Sequence, residues 1–282
     1  MTRASALIWT LGVFLSCLLL QQAHGFELAQ SVRRTRHHHS YGWQSPIEFD
    51  LRCMIWRNYP EYLGLQTDYT PARANVEIHH DDTLQVTFLS SAGTFTHNKI
   101  TYDLQQFHFH HPPEHTFRSY PYVCDDDDLT TQRPRRDEFV LEMHLVHQTP
   151  DAKIAVIGVL FKLGKPNRFL NKFWDFIPDV EEGSPVGVDD IDAADLDLSD
   201  VFIQYMGSLT TTPYTENVFW TVTCGNWNTI SKEQLERLQN KLPGANNRVT
   251  QPWNGRKVYL NFPYDDDDSK IRQDASSLLQ SS

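Results

Sequence analysis

Between residues 76 and 262, hydrophobic side chains recur mostly at every second position. Leu84-Gln85-Val86-Thr87-Phe88 alternates in this way, as do Leu104 to His110, Phe139 to Val146 and Phe219 to Thr223. A period of two belongs to strands with one buried face. Ile154 to Leu163 is almost continuously apolar, as expected of a central strand covered on both sides. Helical signals are sparser. Asn167 to Ile177 predicts one helix and Ser231 to Leu242 another, with Ser231 as N-cap and Gln234 at the capping-box position. No long-period repeat is visible and no linker interrupts the pattern. These elements predict a single mixed α+β domain, dominated by sheet, over residues 40–263.

The ends of the chain depart from that pattern. Arg3, the apolar run Ala6 to Leu20 and the small residues around Ala23-His24-Gly25 read as a signal peptide over residues 1–25. The apolar run is short for a membrane span. Residues 26–39, with Arg33, Arg34, Arg36 and His37 to His39, read as a mobile polar arm. Residues 264–282 read as an acidic polar tail without the apolar stretch of a lipid-anchor signal. Export permits disulfides, and Cys53, Cys124 and Cys224 would remain in the exported chain. Three pairings are open, each leaving one thiol over. None has CxxC spacing, so a cysteine zinc site is not expected.

Charge narrows the function classes. With 25 basic and 36 acidic side chains in 282 residues, the formal charge is -11. Nucleic-acid binding and attachment to anionic lipid are therefore not expected, since both normally need a basic face. The 40% hydrophobic and 12% aromatic content argues for a real core.

The chemistry sits on two strands. Along Leu104 to His110, the side chains of Gln106, His108 and His110 share one face, with Phe107 and Phe109 on the other. Along Phe139 to Val146, Val140, Glu142, His144 and Val146 share a face, with Phe139, Leu141, Met143 and Leu145 behind them. If the polar faces meet, three imidazoles converge. Zinc held by three protein nitrogens with an open fourth position is a catalytic arrangement. Gln106 and Glu142 each lie two residues before a histidine on its own face, where they can accept the second ring N–H. Aromatics behind the first strand and a carboxylate embedded in the apolar second one speak against an exposed polar edge. A rival pattern is His108-x-His110-x-x-x-Glu114 with His144, the three-histidine, one-glutamate set of cupin barrels. There Glu114 would be a ligand to iron or manganese.

Further stretches separate the two. Gln44-Ser45-Pro46-Ile47, Gln106 to His110, Glu114-His115, Glu142 to His147, Ala155 to Gly158, Tyr205, Ser208-Leu209-Thr210-Thr211, Trp220 and Asn254-Gly255-Arg256 resemble the alpha-class carbonic anhydrases. The motifs come in that family's order from Gly42 to Phe262. The resemblance implies a central twisted, mostly antiparallel sheet with peripheral helices and Zn2+ at the base of a conical cavity. It implies reversible hydration of carbon dioxide to bicarbonate and a proton by zinc-bound hydroxide. His108, His110 and His144 would be the ligands. Thr210 would accept from the hydroxide and donate to Glu114, and Thr211 would contact bicarbonate. Val146, Val156, Leu209 and Trp220 match the apolar pocket for carbon dioxide. Gln106 and Glu142 match the partners of the ligands, and His115 a buried structural histidine. Carbon dioxide and bicarbonate are the implied partners, with no nucleic acid and no membrane anchor.

Three departures qualify the match. Asp82 stands where the family commonly has its proton-shuttle histidine, and an exposed Asp, with an ordinary pKa of about 3.9, is a poor relay near pH 7. His79, His80 or the His37 to His39 arm are the substitutes in reach, although alternation sends His79 and His80 to opposite faces. His111 replaces the tryptophan expected after the second ligand. Tyr214 stands at the family's usual disulfide position and no cysteine of the exported chain precedes Gln44, so that disulfide is not expected. The competing function is a secreted carbonic anhydrase-like binding or matrix protein with little catalysis. The acidic runs Asp125 to Asp128 and Asp265 to Asp268 would then matter most. Such relatives usually lose a zinc histidine, and this chain keeps all three.

Overall fold

A computed structural model of the protein describes residues 42–59, 64–79, 82–118, 139–225 and 227–263. The expected signal peptide, arm and tail, both four-aspartate runs, His80 and Cys124 lie outside these residues. Among the described residues the strands are, in chain order, β1 (Glu48–Phe49), β2 (Ile55–Tyr59), β3 (Gln66–Tyr69), β4 (Ala72–His79), β5 (Thr83–Phe88), β6 (Gly93–His97), β7 (Ile100–His110), β8 (Thr116–Phe117), β9 (Phe139–Gln148), β10 (Ile154–Leu163), β11 (Val186–Ile191), β12 (Val201–Ser208), β13 (Glu216–Cys224), β14 (Asn228–Ile230) and β15 (Val258–Pro263).

All but β1 and β8, which pair with each other, join one sheet. Its main path runs β11-β4-β5-β7-β9-β10-β13-β12-β15-β2, with β14 on β10, β6 against β7 and β3 against β6. The pairs β10–β13, β10–β14 and β15–β2 are parallel, and the sheet is otherwise antiparallel. The expected sheet-dominated, mostly antiparallel architecture is the observed one.

Alternation decides which side chains face which way. Phe107, Phe109, Leu141, Met143, Leu145, Ile157 and Val159 lie on one face, in a core shared with Phe169, Phe173 and Trp174. Val156, Leu160, Tyr205, Trp220 and Val222 belong to a second core on the other face. Strand β10 feeds both cores, which is why its sequence is apolar without alternation.

Two local expectations fail for identifiable reasons. Phe139 does not share a face with Leu141. The β9–β10 ladder skips a residue, pairing Leu141 with Phe161 but Phe139 with Lys162, so Val140 is bulged. A bulge reverses the facing of everything beyond it, and Phe139 packs instead against Phe117 and Trp227. The single helix expected over Asn167 to Ile177 is split into an α-turn at Arg168–Asn171 and a 3-10 segment at Trp174–Asp179. Phe169, Leu170, Phe173, Trp174 and Ile177 are all buried, more than one α-helical face can present to a core. The tighter i→i+3 bonds, such as Phe173 N–H to Leu170 O at 3.1 Å, let them turn inward together. The helix Lys232–Lys241 forms as expected, with both halves of the Ser231/Gln234 capping box in place.

Cys224 is disulfide-bonded, while Cys53 is a free, exposed thiol. The partner of Cys224 therefore lies outside the described residues. Of the three pairings open in the sequence, both that use Cys53 are excluded.

Two histidines outside the converging set make the fold sensitive to acid. His147 is fully buried, with Nε2 at 2.9 Å from the Tyr69 hydroxyl, and burial pushes its pKa down to about 3. His97, packed on Phe219, is pushed down to about 4 by burial and by the charge of Arg57. The folded chain keeps both rings neutral, whereas the unfolded chain protonates them below pH 6.5. Their contribution is complete above pH 6.5 and is lost as pH falls toward 4 and 3, at about 1.4 kcal/mol per pH unit for a single ring. Urea unfolding followed from pH 7 to pH 4 should show stability declining through this window. His147→Gln should make the decline shallower.

Candidate metal centre

Strands β7 and β9 run antiparallel with His108 opposite His144 and His110 opposite Glu142. The polar faces expected from alternation thus meet. The three rings pack edge to face or tilted, with centroids 5.0 Å apart for His108–His110, 5.1 Å for His108–His144 and 4.7 Å for His110–His144. One nitrogen from each ring lies within 4.8 Å of the other two.

Hydrogen bonds fix which nitrogen each ring turns inward. His108 Nδ1 donates to Gln106 Oε1 at 2.9 Å, and His110 Nδ1 to the Asn246 carbonyl at 3.2 Å. His144 Nε2 donates to Glu142 Oε1 at 2.8 Å. The inward atoms are then His108 Nε2, His110 Nε2 and His144 Nδ1, each bearing a lone pair. His108 Nε2 and His144 Nδ1 face each other at 3.3 Å. His110 Nε2 is buried with no hydrogen-bond partner. Converging lone pairs without a proton between them are unfavourable in themselves and form a ready cation site. Burial, followed by the neighbouring histidines, holds His108 well below the usual imidazole range, and burial lowers His110 as well. Neutral imidazole is the form that binds metal.

Glu142 is the hub behind these rings. Burial pushes its pKa up, but the charges and hydrogen bonds of His115 and His144 overcome this and hold it well below the ordinary carboxylate value. Its Oε1 accepts from His115 Nδ1 at 2.6 Å as well as from His144. Its Oε2 accepts the backbone N–H groups of Glu114 and His115, both at 2.8 Å. A single carboxylate therefore orients a ligand and pins the segment carrying Glu114. Behind it, His115 Nε2 lies 2.7 Å from the Tyr205 hydroxyl, which lies 3.0 Å from Ser45 Oγ.

Glu114 is not among the converging atoms. Its Oε1 accepts the Arg248 N–H at 2.7 Å and lies 3.6 Å from His110 Nδ1; its Oε2 lies 3.9 Å from His144 Nε2. Both contacts are to the outward nitrogens, so Glu114 stands behind the ligand set, and the site lies on an open sheet. Both findings argue against the cupin arrangement. Glu114 Oε2 is buried without a hydrogen-bond partner. Thr210 is buried nearby in sequence order after β12, but no hydrogen bond joins it to Glu114 among the described residues.

The expected apolar wall is a row across the sheet. Val146 pairs with Val156, and Val156 with Trp220. The Trp220 ring stands 4.8 Å from that of His144. Leu209 packs on the same core. The Trp220 indole donates to the Ser208 carbonyl at 2.9 Å, fixing the start of the Thr210–Thr211 loop, and Tyr214 N–H closes it onto Thr211 O at 2.8 Å. Asp82 is exposed at the β4–β5 turn with a φ of 56°. His79 ends β4 opposite Thr83. His111, in place of a tryptophan, is tied down at both ring nitrogens: Nδ1 to the bulged Val140 carbonyl at 2.8 Å and Nε2 to Gln239 Nε2 at 2.8 Å.

Two residues at the centre carried no signal in the strand patterns. Asn246 reaches His110 through a backbone carbonyl, which any residue possesses. Arg248 serves Glu114 through its backbone N–H and places its guanidinium on the Tyr214 ring, 3.7 Å from the centroid. Both belong to an irregular segment far along the chain, where periodicity is silent.

Comparison with known proteins places the chain in a family context. A family model described as eukaryotic-type carbonic anhydrase matches residues 35–262. Alpha carbonic anhydrase 3 of Arabidopsis thaliana is 37% identical over 227 residues, covering 77% of this chain and 74% of that protein. Among solved structures, dioscorin complexed with ascorbate superposes with a TM-score of 0.66 at 28% identity, covering 78% of this chain and 86% of that one. The alpha-carbonic anhydrase of Thermovibrio ammonificans in complex with the inhibitor sulfanilamide gives 0.63 at 30% identity, covering 77% and 86%.

Proposed function

The chain belongs to the eukaryotic-type carbonic anhydrase family, and from that premise we propose that it interconverts carbon dioxide and bicarbonate with zinc held by His108, His110 and His144. The observation that carries this reading is the convergence of three buried imidazole lone pairs, each ring turned inward by an acceptor on its other nitrogen. When bound, zinc supplies the Lewis acidity that makes water nucleophilic at neutral pH. Gln106, Glu142 and the Asn246 carbonyl orient the ligands. Glu114 Oε2 is the buried acceptor for a Thr210 hydroxyl proton, leaving the Thr210 oxygen to accept from the nucleophile and aim it. Thr211 contacts bicarbonate, and the Val146, Val156, Leu209 and Trp220 wall holds a small apolar substrate while offering it no hydrogen bond.

The test is hydration followed by pH-indicator stopped flow on zinc-loaded protein, against the same protein stripped by a chelator. Turnover above the buffer rate only in the loaded sample is expected; none in either sinks the proposal. Thr210→Ala should retain zinc and slow hydration by about 10²-fold, the usual cost of losing one positioned hydrogen bond to the reacting group. Since Asp82 is exposed and acidic, proton removal should limit the wild-type rate. Added imidazole buffer should then raise turnover, and Asp82→His should reduce that dependence.

The binding-protein reading corresponds to turnover at the buffer rate in protein that nonetheless binds zinc. Intact ligands, and a buried acceptor waiting at Glu114, favour the enzyme. Export of the chain is supported by the disulfide at Cys224, a bond rare in reducing compartments.

A further inference from the structure

We propose that the side chain of Asn246 is a positioning residue for the metal centre, holding the end of β7 so that His110 keeps the geometry zinc requires. The inference rests on the zinc reading above. It concerns the amide side chain, as distinct from the backbone carbonyl that His110 Nδ1 uses.

The β5–β7 ladder ends at the pair Gln85–His108. Beyond it, Phe109, His110 and His111 have no strand on that side. Asn246 takes the place of the missing strand. Its Oδ1 accepts the His111 N–H at 2.8 Å, and its Nδ2 donates to the Phe109 carbonyl at 3.0 Å. Its own N–H donates to the His111 carbonyl at 3.2 Å. The primary amide thus acts as a peptide group would, presenting one acceptor and one donor to consecutive strand sites on either side of His110. Nδ2 also donates to the Asp82 carbonyl at 3.2 Å, tying the β4–β5 turn to the same point. A ligand on a frayed strand end loses the sub-ångström placement on which metal affinity depends.

Asn246→Ala leaves the backbone carbonyl in the chain and removes the two side-chain hydrogen bonds that clamp the strand, together with the one to the Asp82 carbonyl. Zinc is removed from the protein with a chelator and titrated back in competition with a chromophoric chelator; cobalt-loaded samples give a visible spectrum that reports ligand geometry. Zinc affinity should fall by about 10-fold or more, the usual cost of losing a partner behind a ligand, and the cobalt bands should change position and intensity. Asn247→Ala, the adjacent amide outside this set of bonds, should match wild type in both. Asn246→Asp serves if the alanine variant does not fold. It keeps the acceptor for His111 but sets a carboxylate oxygen against the Phe109 and Asp82 carbonyls, so weakened zinc binding is again expected. A folded Asn246 variant with wild-type zinc affinity and cobalt spectrum overturns the proposal, even if it is less stable. A wild-type protein that binds no zinc overturns the metal-centre reading as well, so the two failures are distinguishable.

Discussion

Replacing His108 with alanine should abolish stoichiometric zinc binding and reduce hydration to the buffer rate, while leaving a folded protein. The ring lies at the rim of the ligand set, 8% exposed, against 0% for His110 and 1% for His144. Its Nδ1 donates to Gln106, and its Nε2 faces His144 Nδ1. Removing it deletes one of three converging lone pairs and relieves the 3.3 Å opposition to His144. The metal-free protein should therefore be no less stable than wild type by more than about 1–2 kcal/mol, whereas zinc affinity should drop beyond the roughly 10–100-fold typical of changes behind the ligands. Inductively coupled plasma analysis after dialysis, together with urea unfolding of the metal-free forms, separates these two effects.

Glu142→Ala should damage both metal binding and the fold. Its carboxylate is wholly buried and accepts four hydrogen bonds: from His115, from His144 and from the backbone of Glu114 and His115. The alanine variant strands all four donors. Loss of one partner from a buried charged network costs about 3–5 kcal/mol, a large part of a domain's total stability of about 5–15 kcal/mol. Zinc affinity should fall by at least about 10-fold, because His144 loses the acceptor that turns Nδ1 inward. Glu142→Gln should be intermediate. Its one carbonyl oxygen can serve either the two rings or the two backbone N–H groups, but its NH2 repels whichever pair it faces. Urea unfolding and chelator competition on both variants measure this ranking, and an alanine variant as stable as wild type would contradict it.

The contrast between these residues and Asn246 shows what was legible in the sequence. His108, His110, His144, Gln106 and Glu142 could be placed because strand alternation is a local rule. Two residues apart means the same face, whatever the rest of the chain does. The register opposing His108 to His144 was inferred only as a meeting of polar faces, and the ladder provides it. The same rule failed at Phe139, where the bulge at Val140 shifts the count by one; the sequence carries no mark of that extra residue. It failed at Asn167 to Ile177 because five apolar side chains were read as helix periodicity, although their burial requires a tighter winding. Asn246 meets His110, and Arg248 meets Glu114, through backbone atoms, and the Asn246 amide acts from an irregular segment far along the chain, where no periodicity points to it. The Glu114–Thr210 relation came from family resemblance. In the structure Glu114 Oε2 is buried and unpartnered, and no hydrogen bond joins it to Thr210 among the described residues.

The central claim is that these three histidines bind zinc and that the bound metal hydrates carbon dioxide. Titrating zinc into the chelator-stripped protein, with stopped-flow hydration recorded at each addition, tests it most directly. The rate should climb in proportion to zinc and level off at one equivalent per chain. Saturation at one equivalent with the rate still at that of buffer, or a rate indifferent to added zinc, would contradict it.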